Sequence, residues 1–421
     1  MIHPGKPPRT HIHQHRDMTD RARRHFRSGV SIHSHTHFSK ENLGFIPHYA
    51  SRIPWVAGRV KRSCAVYRSR TGMDLDFKRA YWTPPLSPQE VWSSEVRQIE
   101  DQLGMSALVS ITDHDCIEAP QSMSHALPMS MEWTVPYGSR DFHLGLHNFD
   151  AGLDGEMVRE LQRFTAGYSE YSSCELLSRL HDSPKTLIVI NHPLWDFERS
   201  GNEAHRIALQ AFLAEHHEFI HALEINGFRP WPENLEVYNL GESWAMPVVA
   251  GGDRHGTAPN TVLNLTEART IEEFAMSIRE DRVSEVVLMP EYGDSMFTKQ
   301  LRTAGDAVQH YPGHHPDRRQ WTDRVFFEQE AEHVQPLSKY LPAGAPTWLA
   351  LVVVAIRALG SSSLHRIMNA AALSSTLAMP YCGSRRASSG SAQEPEKSAS
   401  CPIAPYLLER ARDHESFSIR R

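Results

Sequence analysis

The stretch ALVSITDHD at residues 107–115 sets the pattern on which the fold prediction rests. A short apolar run ends there in polar residues, and the same order recurs along the chain up to about residue 290. Continuous apolar runs of this length are typical of buried parallel strands. The other runs are VSIHSHT (30–36), ALPMSMEWT (126–134), DFHLGLHNF (141–149), TLIVINHP (186–193), HALEINGF (221–228), MPVVAGGDRHG (246–256) and EVVLMPEY (285–292).

Amphipathic segments separate most of these runs and are predicted to be helices. Strands that alternate with helices indicate an α/β fold. The eight strand candidates favour a closed barrel over an open sheet, and the active site of such a barrel lies where the carboxyl ends of its strands meet. The predicted helices cover residues 86–103, 154–167, 171–181, 203–216 and 271–281.

Regions of different composition flank the repeating part of the chain. The predicted organisation is a disordered His- and Arg-rich arm (1–28), a barrel (29–300) with an insertion (42–85), a helical extension (301–382) and a disordered tail (383–421). The arm carries His3, His11, His13 and His15, so a metal-binding tail is the alternative to disorder. The insertion either shapes a substrate pocket or only covers one end of the barrel.

Composition narrows the classes of function. The net charge of -6 gives no basic surplus for nucleic acid, so a nucleic-acid substrate is not favoured. The five cysteines form no CxxC pair, as expected of reduced thiols in a cytoplasmic protein. The apolar segment 345–360 reaches Arg357 too early to span a membrane, which needs about 20 residues. Within the extension, residues 317–340 are expected to be helical.

Residue types that commonly bind metals, histidine and the acidic residues, recur at the carboxyl ends of the apolar runs. Each has an ordinary alternative taken alone, such as a core histidine, a turn residue or a surface carboxylate. Their repetition at one position of a repeating unit favours a shared site, because two adjacent divalent ions need several histidines and carboxylates. The residues are His33, His35, Asp113, His114, Glu132, His143, His192, Asp253 and His255.

Five short motifs of the chain, taken in their order along the sequence, resemble those of the PHP superfamily, which is named for polymerase and histidinol phosphatase. They are HSHT, TDHD, the Glu132-Trp133 pair, NHP and GGDRH, and they fall within residues 30–290. The resemblance implies a distorted (β/α)7 TIM-like barrel with two or three metal ions and hydrolysis of phosphate esters. It assigns metal ligation to His33, His35, His114, Glu132, His143, His192, Asp253 and His255, with Glu132 bridging two ions.

The chain departs from the family pattern near its first motif. Lys40 stands where the family usually has a metal-binding Asp, and His37 and Glu41 are the candidates to replace it. Ser31 stands where the family has an acidic residue. The number of metal ions, two or three, depends on the first of these differences.

The resulting functional prediction is a metal-dependent phosphoesterase that uses a hydroxide bridging its metal ions. Asp253, His255 and Glu132 are the predicted catalytic residues, and Arg254, Arg229 and Lys40 are the predicted substrate-binding residues. Zn, Mn, Fe and Ni all suit histidine and carboxylate ligands. The predicted substrate is a small phosphorylated molecule or nucleotide. The alternatives are a hydrolase of a carbamate, ester or amide, and a non-catalytic metal-binding module.

Overall fold

A computed structural model describes residues 8–18, 25–196, 201–330, 333–342 and 344–361. These residues all fall within one compact unit, Met1–Pro380. The predicted tail at 383–421 lies outside the described residues. None of the helices in the described ranges is both long and apolar enough to cross a membrane.

The strands follow the predicted runs closely. All eight runs contain a strand, and six further strands were not predicted. In chain order the strands are β1 (Arg9–Gln14), β2 (Ser28–Ile32), β3 (Glu41–Asn42), β4 (Ala80–Trp82), β5 (Ser106–Ser110), β6 (Ser130–Tyr137), β7 (Arg140–His147), β8 (Leu187–Ile190), β9 (Ala222–Asn226), β10 (Val248–Gly251), β11 (Val262–Thr266), β12 (Val283–Leu288), β13 (Val325–Glu330) and β14 (His333–Pro336).

Helices lie between most of these strands, and two of the predicted ones begin at a capping box. The Ser87 and Ser172 side chains each accept from the third helical N–H, while Glu90 and Glu175 accept from the capping residue. The helices are α1 (Ile46–Ser51), α2 (Pro54–Thr71), α3 (Pro88–Gln98), α4 (Glu118–Ser122), α5 (Glu156–Thr165), α6 (Ser173–His181), α7 (Asn202–His216), α8 (Trp231–Ser243), α9 (Ile271–Met276), α10 (Met296–Val308), α11 (Leu337–Tyr340) and α12 (Thr347–Leu359).

The strands form three sheets, so the α/β class is confirmed. The first has the order β1-β12-β11-β2-β5, the second β10-β9-β8-β7-β6, and the third β14-β13-β4-β3. Among the described residues the first two sheets do not close into the single barrel that was predicted. Their strand ends meet at two isolated bridges, Ser34 with Arg254 and His114 with Glu132.

Strand direction also differs from the prediction of an all-parallel sheet. β7 is antiparallel to both β6 and β8, because β6 runs directly into β7 through a tight turn at Gly138. Gly138 has a φ of 64°, a conformation that glycine adopts without strain. No helix fits between these two strands, so the alternation is interrupted here.

β11 was missed because a polar residue occupies its middle. Asn264 is buried, and its side chain donates to Ala250 O at 2.8 Å and accepts from Ala250 N at 2.7 Å. The amide therefore satisfies the backbone of β10 from a strand of the other sheet. This is a structural use of a buried polar group that an apolar pattern does not reveal.

The prediction of a disordered arm is wrong for residues 9–18. β1 pairs in parallel with β12 over six residues at the edge of the first sheet. Ile12 packs against the core, and His11 and His13 each lie 2.7 Å from a carboxylate oxygen of Glu285. Two histidines therefore flank one carboxylate at this edge, and the sheet provides the backbone partners that the isolated segment lacks.

The helical prediction for residues 317–340 is wrong for residues 325–336, although a short helix does follow at Leu337–Tyr340. β13 and β14 lie within residues 325–336 and pair with each other, and β13 also pairs with β4 from the insertion. Phe326 stands opposite Tyr81, and the two rings stack at 5.1 Å. Pairing between distant segments overrides the local pattern, and it joins the insertion to the C-terminal region in one antiparallel sheet.

Candidate metal centre

The predicted ligands converge where the first two sheets meet. Those on loops directly follow β2, β5, β8 and β10, whereas Glu132 and His143 lie within β6 and β7. His33, His192 and Asp253 have positive φ values of 63°, 29° and 52°. Residues other than glycine rarely adopt such angles, and backbone strain of this kind concentrates at functional sites.

Glu132 lies at the centre of the cluster and is fully buried. Its Oε2 atom is 3.3 Å from three imidazole nitrogens, and its Oε1 atom is 3.2–3.3 Å from two more. The bridging position that the resemblance implies is therefore geometrically available. The nitrogens near Oε2 are His33 Nε2, His35 Nε2 and His114 Nδ1, and those near Oε1 are His143 Nδ1 and His192 Nε2.

Two further carboxylates face the same histidines. Asp253 Oδ1 is 3.5 Å from His35 Nε2 and 3.5 Å from His255 Nδ1. Glu41 Oε2 is 3.0 Å from His255 Nε2 and 3.5 Å from His114 Nε2. Of the two candidates to replace the family's Asp, Glu41 therefore lies in the cluster.

His37 is directed elsewhere. Its pKa is lowered to about 4 by burial and by the positive charge of Arg318, which belongs to the C-terminal part of the chain. His37 belongs to none of the groups of described residues whose ligand atoms lie close enough together to hold one ion.

The spacing within the cluster fits ligands that share an ion. Two ligand atoms each about 2.1 Å from a tetrahedral metal lie about 3.4 Å apart. The contacts to Glu132 have this length, whereas a direct hydrogen bond in the same cluster, from His33 Nδ1 to Glu224 Oε1, measures 2.7 Å. His35 Nε2 and Glu132 Oε2 are buried and have no hydrogen-bond partner within the described part of the chain. Unsatisfied buried atoms of this kind require a partner such as a metal.

Four overlapping groups have ligand atoms close enough for one ion each. Because they share residues, at most a few ions can be held at once. The groups are His33, His35 and Asp253; His33, Glu132 and His192; His114, Glu132 and His143; and His35, Glu41, His114 and His255.

A shell of residues not predicted from the sequence orients the ligands. Glu224 in β9 is the most important, because it contacts His33 Nδ1 at 2.7 Å and accepts from the His192 backbone N at 2.8 Å. Asn191 donates to Glu132 Oε1 at 3.0 Å. A carboxylate on the far nitrogen of a ligating histidine fixes its tautomer. The signal for Glu224 was present, since a Glu inside the apolar run HALEINGF must be buried and therefore needs a partner.

Asp113 lies outside the cluster and binds the loop that carries one of its histidines. It accepts from Thr36 N at 2.5 Å and from Thr36 Oγ1 at 2.6 Å. Burial outweighs these bonds and raises the pKa of Asp113 to about 6. The residue therefore supports the loop that carries His35.

The three predicted substrate-binding residues are in different environments. Lys40 is exposed, and its ammonium lies 5.5 Å from the centre of the Tyr81 ring. Arg254 is buried, and its guanidinium is bonded to Glu95 rather than directed to the cluster, so its prediction as a substrate contact is wrong. Arg229 stacks on Trp195 at 3.9 Å.

Negative charges in the cluster raise the pKa values of two of its histidines strongly. Burial alone would lower the pKa of His35, but its contacts with Asp253 and Glu132 outweigh burial and raise it to about 9. For His114, burial is similarly outweighed by Glu132 and Glu41, and its pKa rises to about 9. A divalent cation can replace the charge that these protons supply.

For the metal-free protein we expect a maximum of stability near pH 6.5. His35 and His114, with raised pKa values, favour the folded state below pH 6.5, and this contribution is lost as the pH rises to about 9. The pKa of His147 is lowered to about 3 by burial and that of His37 to about 4, so protonation of the unfolded chain destabilises the fold below pH 6.5. Each proton changes the free energy of unfolding by up to about 1.4 kcal/mol per pH unit.

Urea unfolding of chelated protein between pH 5 and pH 9 measures this profile. Saturating Zn²⁺ should remove the decline above pH 6.5, because the metal takes the place of the protons. A stability that rises steadily from pH 6.5 to pH 9 without metal would contradict the electrostatic description of the cluster.

Comparison with known proteins finds only weak structural similarities. No protein-family model and no curated protein matches the sequence. An amidohydrolase from Chromobacterium violaceum, with bound sulfate and no metal, is 13% identical with a TM-score of 0.33, over 59% of this chain and 96% of that chain. PsfC from Pseudomonas syringae PB-5123 is 13% identical with a TM-score of 0.35, over 50% and 89%.

A protein from Bifidobacterium adolescentis, described as a metal-dependent phosphoesterase, is 15% identical with a TM-score of 0.33, over 60% of this chain and 96% of that chain. At these identities and TM-scores, the similarities establish neither a family nor an activity for the chain.

Proposed function

We propose that this chain is a metal-dependent hydrolase that cleaves phosphate esters at two or three divalent ions. The observation that carries the proposal is the arrangement around Glu132, whose carboxylate lies within 3.3 Å of five histidine nitrogens. A carboxylate that bridges metal ions is surrounded by the other ligands of those ions, and imidazole nitrogens are such ligands.

The donor set matches borderline divalent ions. Imidazole and carboxylate ligands suit Zn, Mn, Fe or Ni, and no thiolate lies in the four groups. Glu132, which belongs to two of the four groups, would be shared between two ions. Glu41 gives the group of His35, His114 and His255 an anionic ligand, which favours a third ion.

The chemistry divides between the ions and the chain. Bound divalent ions supply Lewis-acid activation of the phosphoryl group and a nucleophile at neutral pH. Asp253 is the proton acceptor in this proposal, because its Oδ1 faces both His35 and His255. The His255 Nδ1 atom lies 2.9 Å from the Asp253 carbonyl oxygen, which directs Nε2 to the cluster.

Arg229 is the proposed contact for the substrate phosphate. Its guanidinium stacks on Trp195, which lies beside His192 with ring centres 4.9 Å apart. Burial lowers the pKa of Arg229, and the negative charge of Glu233 opposes this more than those of Asp253 and Glu224 do. Its Nε atom has no hydrogen-bond partner among the described residues. Nε also lies 3.8 Å from a carboxylate oxygen of Glu233. In this proposal the two terminal nitrogens of the guanidinium bind the oxyanion.

We further propose that the two bridged sheets correspond to an opened form of the seven-stranded PHP barrel. The bridges at Ser34 and at His114 connect the strand ends in the cyclic order β2-β5-β6-β7-β8-β9-β10. The cluster would then lie at the mouth of the barrel. A small phosphorylated molecule or nucleotide is the substrate class that fits Arg229 beside the ions.

The test is metal content together with hydrolysis of p-nitrophenyl phosphate before and after chelation. We expect two or three ions per chain, activity that chelation abolishes, and a higher KM in Arg229→Met with its metal content unchanged. Bound metal with turnover only of p-nitrophenyl acetate or a carbamate would replace the phosphoesterase with another hydrolase. Metal without any turnover would indicate a binding module, and no metal would overturn the site.

A further inference from the structure

Arg254 lies between two proposed ligands, yet its side chain turns away from them. Its guanidinium forms an ion pair with Glu95 of α3, and both side chains are at least 96% buried. A second donor of Arg254 reaches the Gly256 carbonyl at 3.2 Å. The side chain is therefore enclosed behind the loop that carries Asp253 and His255.

Glu95 also holds the other ligand-bearing segment. Its Oε2 accepts from Ser31 Oγ at 2.9 Å, two residues before His33. It accepts from Asn260 N at 3.1 and 3.2 Å as well. One buried carboxylate from α3 thus contacts both β2 and the segment that follows β10, and Ser31 is the residue that stands at the acidic position of the PHP pattern.

Asn260 completes the connection between the two segments. Its Nδ2 donates to Ser31 Oγ at 2.8 Å, to Ile32 O at 3.1 Å and to Ser34 Oγ at 3.0 Å. The backbones are joined at the same place, since His35 N donates to Arg254 O at 3.0 Å. Side-chain and backbone contacts therefore fix the spacing of the two ligand loops on the side that faces away from the cluster.

We propose that the Glu95–Arg254 ion pair positions the loops that carry His33, His35, Asp253 and His255 for metal binding. This inference rests on the proposed function. Asp253 has a φ of 52°, a strained conformation that persists only when its surroundings impose it. Arg254 anchors the next residue of that loop to a rigid helix. It is a positioning residue that touches neither metal nor substrate.

The energetics of buried ion pairs support positioning over stability as the role of the pair. Replacing such a pair by apolar residues of similar size is often neutral for stability, because desolvation offsets the attraction. Removal of one partner alone is costly, because the other charge stays buried. Stability and positioning can therefore be separated by comparing single and double substitutions.

The experiment measures Co²⁺ affinity and the visible spectrum of bound Co²⁺ in the full chain. We expect Arg254→Met and Glu95→Leu each to lower the affinity about 10- to 100-fold and to change the spectrum. Arg254→Lys, which keeps a cation within reach of Glu95, should recover part of the affinity. The double variant Glu95→Leu with Arg254→Met should regain part of the melting temperature lost in the single variants, because no charge stays buried without its partner, but it should keep the low affinity.

Arg279→Met is the matched control. Arg279 is a half-buried arginine that donates to the carbonyls of His181, Ser183 and Thr186, away from the ligand loops. Its loss should lower stability without changing Co²⁺ affinity.

The possible outcomes separate the inference from the function on which it rests. If the double variant recovers both stability and affinity, the pair is only structural and the positioning role is wrong. Wild-type affinity in both single variants would overturn it as well. If the wild-type chain binds no Co²⁺, the proposed metal centre itself fails, and the inference fails with it.

Discussion

Glu132→Gln is expected to remove bound metal and hydrolytic activity together. The carboxylate is the one group that reaches all five surrounding histidine nitrogens, and an amide supplies one weak ligand oxygen in place of two charged ones. Residues that act as a unit in catalysis cost on the order of 10⁴-fold or more when one is removed. We expect a loss of this size in kcat/KM, with at most one ion left per chain.

Metal analysis by mass spectrometry and turnover of p-nitrophenyl phosphate measure the two effects in parallel. Glu285→Gln is the matched control, because that carboxylate also contacts two histidines, at the edge of the first sheet. It should leave metal content and kcat/KM unchanged. A Glu132→Gln protein that keeps two ions per chain would show that this carboxylate does not bridge them.

Gly251→Ala is expected to produce a large loss of stability from a position beside the cluster. A Cβ atom at this position would lie 1.7 Å from Glu224 Oε1 and 2.5 Å from its Cδ. The carboxylate cannot move freely, because its contacts with His33 Nδ1 and the His192 backbone hold it. Overpacking together with the loss of charged hydrogen bonds should lower the free energy of unfolding by about 3 kcal/mol.

Gly58→Ala makes the same chemical change where there is room for it. Gly58 lies within α2, and a Cβ atom there would meet nothing within 4 Å. Alanine in a helix interior is favoured over glycine by about 0.5–1 kcal/mol, so this variant should be slightly stabilised. Urea unfolding of both variants, with and without Zn²⁺, gives the comparison. Equal stabilities would mean that the backbone at Gly251 moves to admit the methyl group.

The sequence was most informative where local pattern and chemistry coincide. Apolar runs ending in ligand-type residues predicted the strands, and they placed His33, His114 and Asp253 at one locus because strand ends meet at one edge of a sheet. Gly251, in the GGDRH motif, lies against Glu224, where an added Cβ atom would overlap the carboxylate.

What the sequence could not reveal depends on contacts between distant segments. Arg254 and Arg229 look equivalent as candidate phosphate ligands, but Glu95, 159 residues away, binds only the first. The same holds for β1, whose partner β12 lies at the other end of the fold. Pairing partners of this kind are set by tertiary structure, which local propensity does not encode.

The position of the cluster between the sheets has a consequence for the stability of the fold. Each of the four ligand groups takes residues from strands or loops of both large sheets, and the group with Glu41 also reaches β3 of the third. A bound ion would therefore act as a cross-link between layers whose strands, among the described residues, are joined by two isolated bridges and by side-chain contacts such as that of Asn264 with Ala250. The free energy of metal binding would add to the free energy that keeps the layers together. Loss of metal would then weaken the scaffold as well as the chemistry.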